Sequence, residues 1–374
     1  MAALARSLPL DLLEIASALV EIPSVSRHES AIADLIEQHL MGRAGLSVVR
    51  IGDNVIARTE HGFGVRVLLG GHLDTVPPFG GSPVGSRLEG ERLFGLGATD
   101  MKGGLAVLLD LACRAGRATA SGTALAGSDL TVVFYVREEV DRAESGLLEI
   151  FAERPDLLKA DVAILAEPTG GRVEAGCQGT LRARVTLTGE RAHTARPWMG
   201  KNAIHRLGPL LAIVTSYKER RPVLDGISYR ESLQAVRVSG GVAGNVVPDH
   251  VELTINYRFA PDRTPEQAFS DLEELLVPAL MQEEGDRVML EDAAAGALPN
   301  LDHPVIAQLV RSSGKDASAK LGWTDVSFFA VQGVPATNFG PGDPTLAHTR
   351  DERVSRAELE EVRSVFSEVL GFQL

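Results

Sequence analysis

The chain has 374 residues, with 37 Lys and Arg against 50 Asp and Glu for a formal charge of −13; at roughly 150 residues per domain it holds about two domains, too much for a peptide module or disulfide miniprotein. The acidity excludes nucleic acid and anionic membranes as main partners, and 44% hydrophobic with 23% charged residues are globular values that exclude disorder along the chain. Two cysteines, Cys113 and Cys177, make neither a disulfide framework nor, by themselves, a zinc site.

No apolar run is long enough to span a bilayer. The apolar stretch at 8–20 is interrupted by Asp11 and Glu14, which suits an amphipathic helix and not a signal peptide, so a reducing, cytoplasmic setting is expected. Leu12, Leu13, Ile15, Ala16, Leu19 and Val20 recur at helical spacing there. After Ile22-Pro23-Ser24 a second helix is expected from Ser26, with Ser26 and Glu29 as a capping box. Short apolar runs at 65–69, 130–136, 162–165 and 334–339, bounded by Gly, Pro or charge, read as strands of a mostly parallel sheet buried on both faces. A helix-length apolar segment, 105–115, lies between the first two, and 118–127 reads as a loop.

From about 179 to 292 the pattern changes. Ala183, Val185 and Leu187 alternate with Arg184, Thr186 and Thr188, the mark of a strand wet on one face. A helix over 202–217 follows, then strands at 232–238 and 251–259, a helix opened by the capping box Thr264-Pro265-Glu266-Gln267, and a strand at 288–290. This β-α-β-β-α-β order is that of a ferredoxin-like unit. The chain therefore reads as an α/β, mostly parallel-sheet domain in two parts, 1–178 and 293–374, interrupted by an inserted α+β domain at 179–292.

Ligands of open α/β sheets bind beyond the carboxyl ends of the strands. There the sequence places His72 and Asp74, then Glu138 and Glu139, then Glu167. Asp100 stands just before the apolar helix in Gly95-Leu96-Gly97-Ala98-Thr99-Asp100-Met101-Lys102-Gly103-Gly104, and His348 lies in a loop after the last strand. Singly, each has an ordinary reading: a capped turn for His72 and Asp74, a solvated charge pair for Glu138 and Glu139, half a nucleotide fingerprint for Gly95-Leu96-Gly97. The fingerprint lacks the full spacing and sets an acid where pyrophosphate would sit. Together, imidazoles and carboxylates at one sheet edge without nearby thiols suit zinc or a similar divalent cation.

In order and spacing, Gly71-His72-Leu73-Asp74-Thr75-Val76-Pro77, the segment around Asp100, Glu138-Glu139, Glu167-Pro168 and the late His348 resemble the dinuclear zinc amidohydrolase and peptidase family. That family includes aminoacylases, acetylornithine deacetylases, glutamate-releasing carboxypeptidases and succinyl-diaminopimelate desuccinylases, and the resemblance covers essentially the whole chain. It implies two Zn²⁺ per chain, with Co²⁺ or Mn²⁺ as alternatives at one site: His72 and Glu167 on one metal, Glu139 and His348 on the other, Asp100 bridging. It implies further that Asp74 fixes the His72 tautomer and that Glu138 is the general base for amide hydrolysis. The inserted domain becomes a lid and dimerisation domain, in which His193 of Gly189-Glu190-Arg191-Ala192-His193-Thr194-Ala195 reaches from the partner subunit of a homodimer to the oxyanion. Asn245 and Arg258 match positions that bind substrate amide and carboxylate groups, and Gly322, Thr324 and Gly340 are expected as further substrate contacts.

The segments 338–343 and 347–352 are most similar to the desuccinylase branch, which implies a small anionic N-acyl amino acid, an N-succinyl dicarboxylate, as substrate. Two positions depart from the family pattern: Arg196 stands where a second histidine is common, and the bulky Trp323 of Gly322-Trp323-Thr324-Asp325 stands in a cluster that is small in that branch. An acetylornithine deacetylase or another N-acyl-amino-acid hydrolase is the alternative enzyme. A metal-free binding relative is the alternative class, against which the complete set of five ligands and Glu138 argues.

Overall fold

The computed structural model describes residues 11–78, 85–121 and 127–371. The chain divides into two compact units: a larger one comprising the segment up to Ala175, Pro299–Ser318 and the segment from Phe328, and a smaller one comprising Gly176–Leu298 and Ala319–Ser327. The excursion Ala319–Ser327 has no announcement in the sequence.

The larger unit is built on an eight-stranded sheet. Its centre is a parallel run of neighbours in the order Ser128–Tyr135, Val65–His72, Val162–Leu165, Ala336–Asn338. Asn54–Arg58 and Ser47–Ile51 extend one side antiparallel, Glu174–Ala175 and Ser318–Ala319 the other. The central strands are buried almost throughout, which is why they read as apolar runs without alternation. Helix Gly103–Ala120 packs on this sheet and against helices Leu12–Val20 and Arg356–Leu370. Its Leu105, Leu108, Leu109 and Leu111 are all buried, each contributing about 1.5–3 kcal/mol relative to exposure. Close contact needs Gly71, where a Cβ would lie 2.7 Å from Met101 Cε and 2.9 Å from Leu105 Cδ2.

Three helix starts differ from expectation. Asp11 caps the first helix, accepting from Leu13 N (2.9 Å) and Glu14 N (3.2 Å), so it begins the element; residues 8–10 lie outside the described ones. The second helix, Ser30–Leu40, has Glu29 at its N-cap with no side-chain hydrogen bond to the helix, so the expected Ser26 and Glu29 box is absent. The helix expected at 202–217 forms only over Leu207–Ser216. The apolar helix runs on to Ala120 into the expected loop at 118–127, of which 122–126 lie outside the described residues.

The smaller unit has a four-stranded antiparallel sheet ordered Ser232–Gly240, His250–Phe259, Gly179–Thr188, Arg287–Ala294. Leu181, Ala183, Val185 and Leu187 of one strand and Val251, Leu253, Ile255 and Tyr257 of its neighbour face a core shared with helices Leu207–Ser216 and Pro265–Leu276. The Thr264 box forms as read: Thr264 N donates to Gln267 Oε1 (2.9 Å) and Gln267 N to Thr264 Oγ1 (3.3 Å). No helix among the described residues is long and apolar enough to cross a membrane.

Candidate metal centre

Because the central strands run parallel, their carboxyl ends deliver side chains to one edge of the larger unit. His72 is the last residue of its strand, and Glu138 and Glu139 follow the strand that ends at Tyr135. Glu167 follows Leu165, and Asp100 sits in the tight turn Ala98–Lys102 that leads into the apolar helix. Arg137 (φ 62°) and His348 (φ 60°) hold left-handed backbone conformations, a cost that side-chain-bearing residues bear mostly at functional positions.

Two triads that could hold a metal ion form, each with its donor atoms within 4.8 Å of one another: His72, Asp100 and Glu167, and Asp100, Glu139 and His348. They share Asp100, whose two oxygens face different imidazoles. His72 Nε2 is 3.0 Å from Oδ1 and His348 Nε2 is 3.4 Å from Oδ2. His348 Nε2 is also 2.7 Å from Glu139 Oε1. A third grouping, His72, Glu138 and Glu139, brings the expected base beside two ligands.

The cluster demands positive charge. Hydrogen bonds to Asp100 and Glu139 raise the His348 pKa to about 10. Burial disfavours the charged form of His72, yet Asp100, Asp74 and Glu167 together raise its pKa well above the ordinary value. Asp100 is held below its ordinary value, its burial outweighed by the two imidazoles. Acids that draw protons onto both histidines are acids that divalent cations satisfy by displacing those protons. An all-nitrogen and oxygen donor set of this kind fits zinc and its neighbours.

Asp74 lies beside the His72 ring as expected and holds the next loop as well. The His72 ring donates from Nδ1 to the Asp74 backbone carbonyl (3.0 Å), with the carboxylate oxygen farther at 3.5 Å. Carbonyl and carboxylate of Asp74 thus both favour the tautomer that turns Nε2 to the acid cluster. The carboxylate also accepts from Glu138 N (3.0 Å), Glu139 N (3.0 Å) and Ser26 Oγ (2.7 Å). Burial raises its pKa, but the hydrogen bonds from His72, Ser26 and Glu138 prevail and hold it at about 2. Glu29 Oε1 accepts from Arg137 N (3.1 Å), so two acids fix three consecutive amides of the loop that carries Glu138 and Glu139. Ser26 and Glu29 were missed as site residues because their spacing is also that of a helix cap.

Gly340 is buried against the Glu167 peptide. A Cβ there would lie 2.3 Å from Ala166 O and 2.5 Å from Glu167 O, and Gly340 N donates to Thr169 Oγ1 (3.1 Å). Its place in the fold is a close backbone approach that supports a ligand.

The remaining expected residues belong to the smaller unit. The His193 and Asn245 segments run side by side: His193 bridges Val246, Thr194 N donates to Asn245 O (3.0 Å) and Val247 N to Ala192 O (2.8 Å). His193 is exposed, and its Nδ1 accepts from Ala195 N (3.0 Å), so a neutral imidazole carries its proton on Nε2 as a donor. Arg258 is half-buried on the strand His250–Phe259, and among the described residues no Asp or Glu pairs with it. Burial pushes its guanidinium pKa down, and Arg182 adds to the effect. Gly322 is exposed and Thr324 buried in the excursion Ala319–Ser327. Trp323 donates from Nε1 to Ala295 O (3.0 Å), which anchors it within the same unit.

The chain is 50% identical over 364 residues to a putative succinyl-diaminopimelate desuccinylase, DapE, of Mycobacterium tuberculosis, covering 96% of this chain and 98% of that one. It is 44% identical over 356 residues to a succinyl-diaminopimelate desuccinylase of Corynebacterium glutamicum, covering 94% of each. Its fold is similar to that of the Bacillus subtilis YXEP protein, described as a dinuclear metal binding peptidase from the M20 family, with a TM-score of 0.70 at 14% identity over 96% of both chains. The model of peptidase family M20/M25/M40 matches residues 68–371. That match takes in every proposed metal ligand, from His72 to His348, and the chain belongs to peptidase family M20/M25/M40.

Proposed function

We propose that the chain is a metal-dependent amide hydrolase that releases succinate from N-succinyl-LL-2,6-diaminopimelate, in diaminopimelate and lysine biosynthesis. The observation that carries the hydrolase reading is the pair of triads sharing Asp100. The substrate is taken from the names of the two bacterial relatives and supported by Arg258, a half-buried cation with no Asp or Glu partner among the described residues, as a carboxylate of the substrate requires. His72 and Glu167 would hold one divalent cation and Glu139 and His348 the other, with Asp100 between them; zinc is the first choice for this donor set. When bound, the two ions supply Lewis acidity toward the scissile carbonyl and lower the pKa of the attacking water.

The chain's own groups do the rest. Glu138, its backbone fixed by Asp74, takes one proton from the attacking water and delivers it to the departing nitrogen; the second water proton, shed as the new carboxyl group ionises, makes that amine an ammonium, so that amide and water become succinate and an ammonium with no net proton change. His193, with its proton on Nε2, donates to the developing oxyanion.

The homodimer is part of this reading, with His193 acting across it. The strand Ser232–Gly240 is a sheet edge, exposed along most of its length, with Val236 at 56% and Val238 at 60% exposure. Such an edge is a template for pairing with a second copy. A monodisperse, fully active monomer in light scattering rules that out. Cytoplasmic residence belongs to the same reading, since both cysteines are buried and free.

The deciding experiment compares N-succinyl-LL-diaminopimelate with N-acetylornithine in one assay with zinc supplied. Preferential turnover of the succinyl compound is expected, and equal or preferential turnover of acetylornithine overturns the substrate. Metal content tests the class: fewer than about one zinc per chain after mild purification favours a metal-free binding protein.

A further inference from the structure

We infer that Glu352 is a positioning residue for the shared ligand: its buried carboxylate holds the Asp100 turn in register with His348, and so ties the two metal triads together. The inference rests on the metal reading above and not on the choice of substrate.

Glu352 is 3% exposed, and both of its oxygens are spent on one turn. Oε2 accepts from Gly97 N (3.0 Å), and Oε1 accepts from Thr99 N (3.0 Å) and Asp100 N (3.0 Å). Its backbone carbonyl accepts from Gly95 N (3.2 Å). The next residue continues the attachment, with Thr99 Oγ1 donating to Arg353 O (2.5 Å) and Arg353 pairing with Phe94 in the small antiparallel sheet. Thus the turn from Gly97 to Asp100 is wrapped around a single side chain. That side chain stands four places after His348 in the sequence, on the same loop that delivers His348 to Asp100 and Glu139.

Asp100 itself has little local reason to hold its position. Asp100 and Met101 leave helical dihedrals inside the turn (φ −118° and −134°), so the intrahelical ladder does not fix them. What fixes the Asp100 amide is the Glu352 carboxylate. A charged acceptor also suits three converging N–H groups better than any neutral side chain of similar shape. Lys102, buried on the same turn, donates from Nζ to Ile22 O (2.7 Å), and burial pushes its pKa down to about 8 against the attraction of Glu352. A purely structural Glu352 would stabilise the fold and leave metal binding unchanged. A positioning Glu352 acts on both triads at once, because both use Asp100.

Glu352→Gln keeps the shape and withdraws one of the two acceptor oxygens, so one of the three amides must face an NH₂ group. Thr99→Val cuts the second attachment and leaves the carboxylate in place. Zinc and cobalt affinities of the metal-free full-length proteins, measured by competition with a chromogenic chelator, are the primary readout, and the visible bands of the cobalt forms are the second. For Glu352→Gln we expect both metal equivalents to bind about 10- to 100-fold more weakly, the size usual for loss of a group that orients a ligand, with altered cobalt bands. Thr99→Val should shift both readouts in the same direction by less. Wild-type affinity and bands in a folded Glu352→Gln overturn the inference. If Glu352→Gln does not fold, wild-type metal binding by Thr99→Val overturns it equally. A wild-type chain that binds no divalent cation fails the metal reading itself, and one that binds two but spares the succinyl substrate fails only the substrate assignment.

Discussion

Replacing Asp74 by Asn tests how the catalytic loop is held. The Asp74 carboxylate accepts Glu138 N on Oδ1 and Glu139 N with Ser26 Oγ on Oδ2. An amide has a single acceptor oxygen, so whichever way it turns, the amide of the base or that of the ligand meets an NH₂ group instead of an acceptor. The less costly orientation keeps Ser26 and Glu139 and abandons Glu138. The loss is then one charge-assisted hydrogen bond, about 1.5–3 kcal/mol, together with some of the cost of a buried unsatisfied N–H. Asp74 is fully buried, so little of this is recovered from water, and about 2–4 kcal/mol remains after local relaxation, roughly 30- to 900-fold in rate if all of it is added to the barrier. Since Asp74 cannot touch substrate from that position, kcat should fall by about a hundredfold with KM nearly unchanged. Steady-state kinetics on the zinc-loaded variant, with metal content and the urea midpoint measured on the same preparation, check this. A folded, fully metallated Asp74→Asn enzyme with kcat within about threefold of wild type would refute the reasoning.

Glu138→Gln should retain both metals and lose at least about a hundredfold in turnover, as general-base catalysis contributes that much or more; a loss below tenfold, with metal content confirmed, removes Glu138 from the role. Gly340→Ala forces a Cβ to within 2.3 Å of Ala166 O, so Glu167 must shift and zinc affinity measured by chelator competition should drop, while unchanged affinity would mean that the strand end yields freely. In the smaller unit, burial tends to raise the Asp286 pKa, but hydrogen bonds from Arg206, Met281 N and Thr188 N prevail and lower it. Because the folded pKa lies below the unfolded one, the stability this provides is present above the ordinary carboxylate range and is lost as pH falls through the folded value. Urea midpoints of wild type and Asp286→Asn should therefore differ most near neutrality and converge in acid; a gap that stays constant down to about pH 2 contradicts the assignment.

Three strings of the same form show which features the sequence discloses. Thr264 with Gln267 and Ser355 with Glu358 are capping boxes in the folded chain, each opening a helix whose start leaves the cap free to close on itself. Ser26 with Glu29 has the same spacing, but its partners are Asp74 and the amide of Arg137, brought up by the sheet. Local spacing cannot distinguish these cases, because what decides is a tertiary acceptor better placed than the helix end. The grouping of His72, Glu138, Glu139 and Glu167, by contrast, is legible because parallel strands buried on both faces are apolar to their ends, so acids and histidines at or just beyond them mark the site edge, whereas Asp100 and His348 obey no such rule. Glu352 escapes such reasoning altogether, since it acts on a turn some 250 residues earlier in the chain, through backbone groups that leave no trace in residue identity.

The position of the smaller unit within the chain also sets an order of assembly. His72, Asp100, Glu139 and Glu167 all precede it, whereas His348 follows it. During synthesis, which presents the N-terminal portion first, the His72, Asp100 and Glu167 triad is translated in full before the smaller unit begins, and the triad completed by His348 comes only after that unit has been made. A nascent chain, or one ended before His348, therefore possesses the residues of only one of the two proposed cation sites. Loading of both proposed cation sites would thus report that translation has passed through the whole insertion, and a product ended before His348 cannot form the pair.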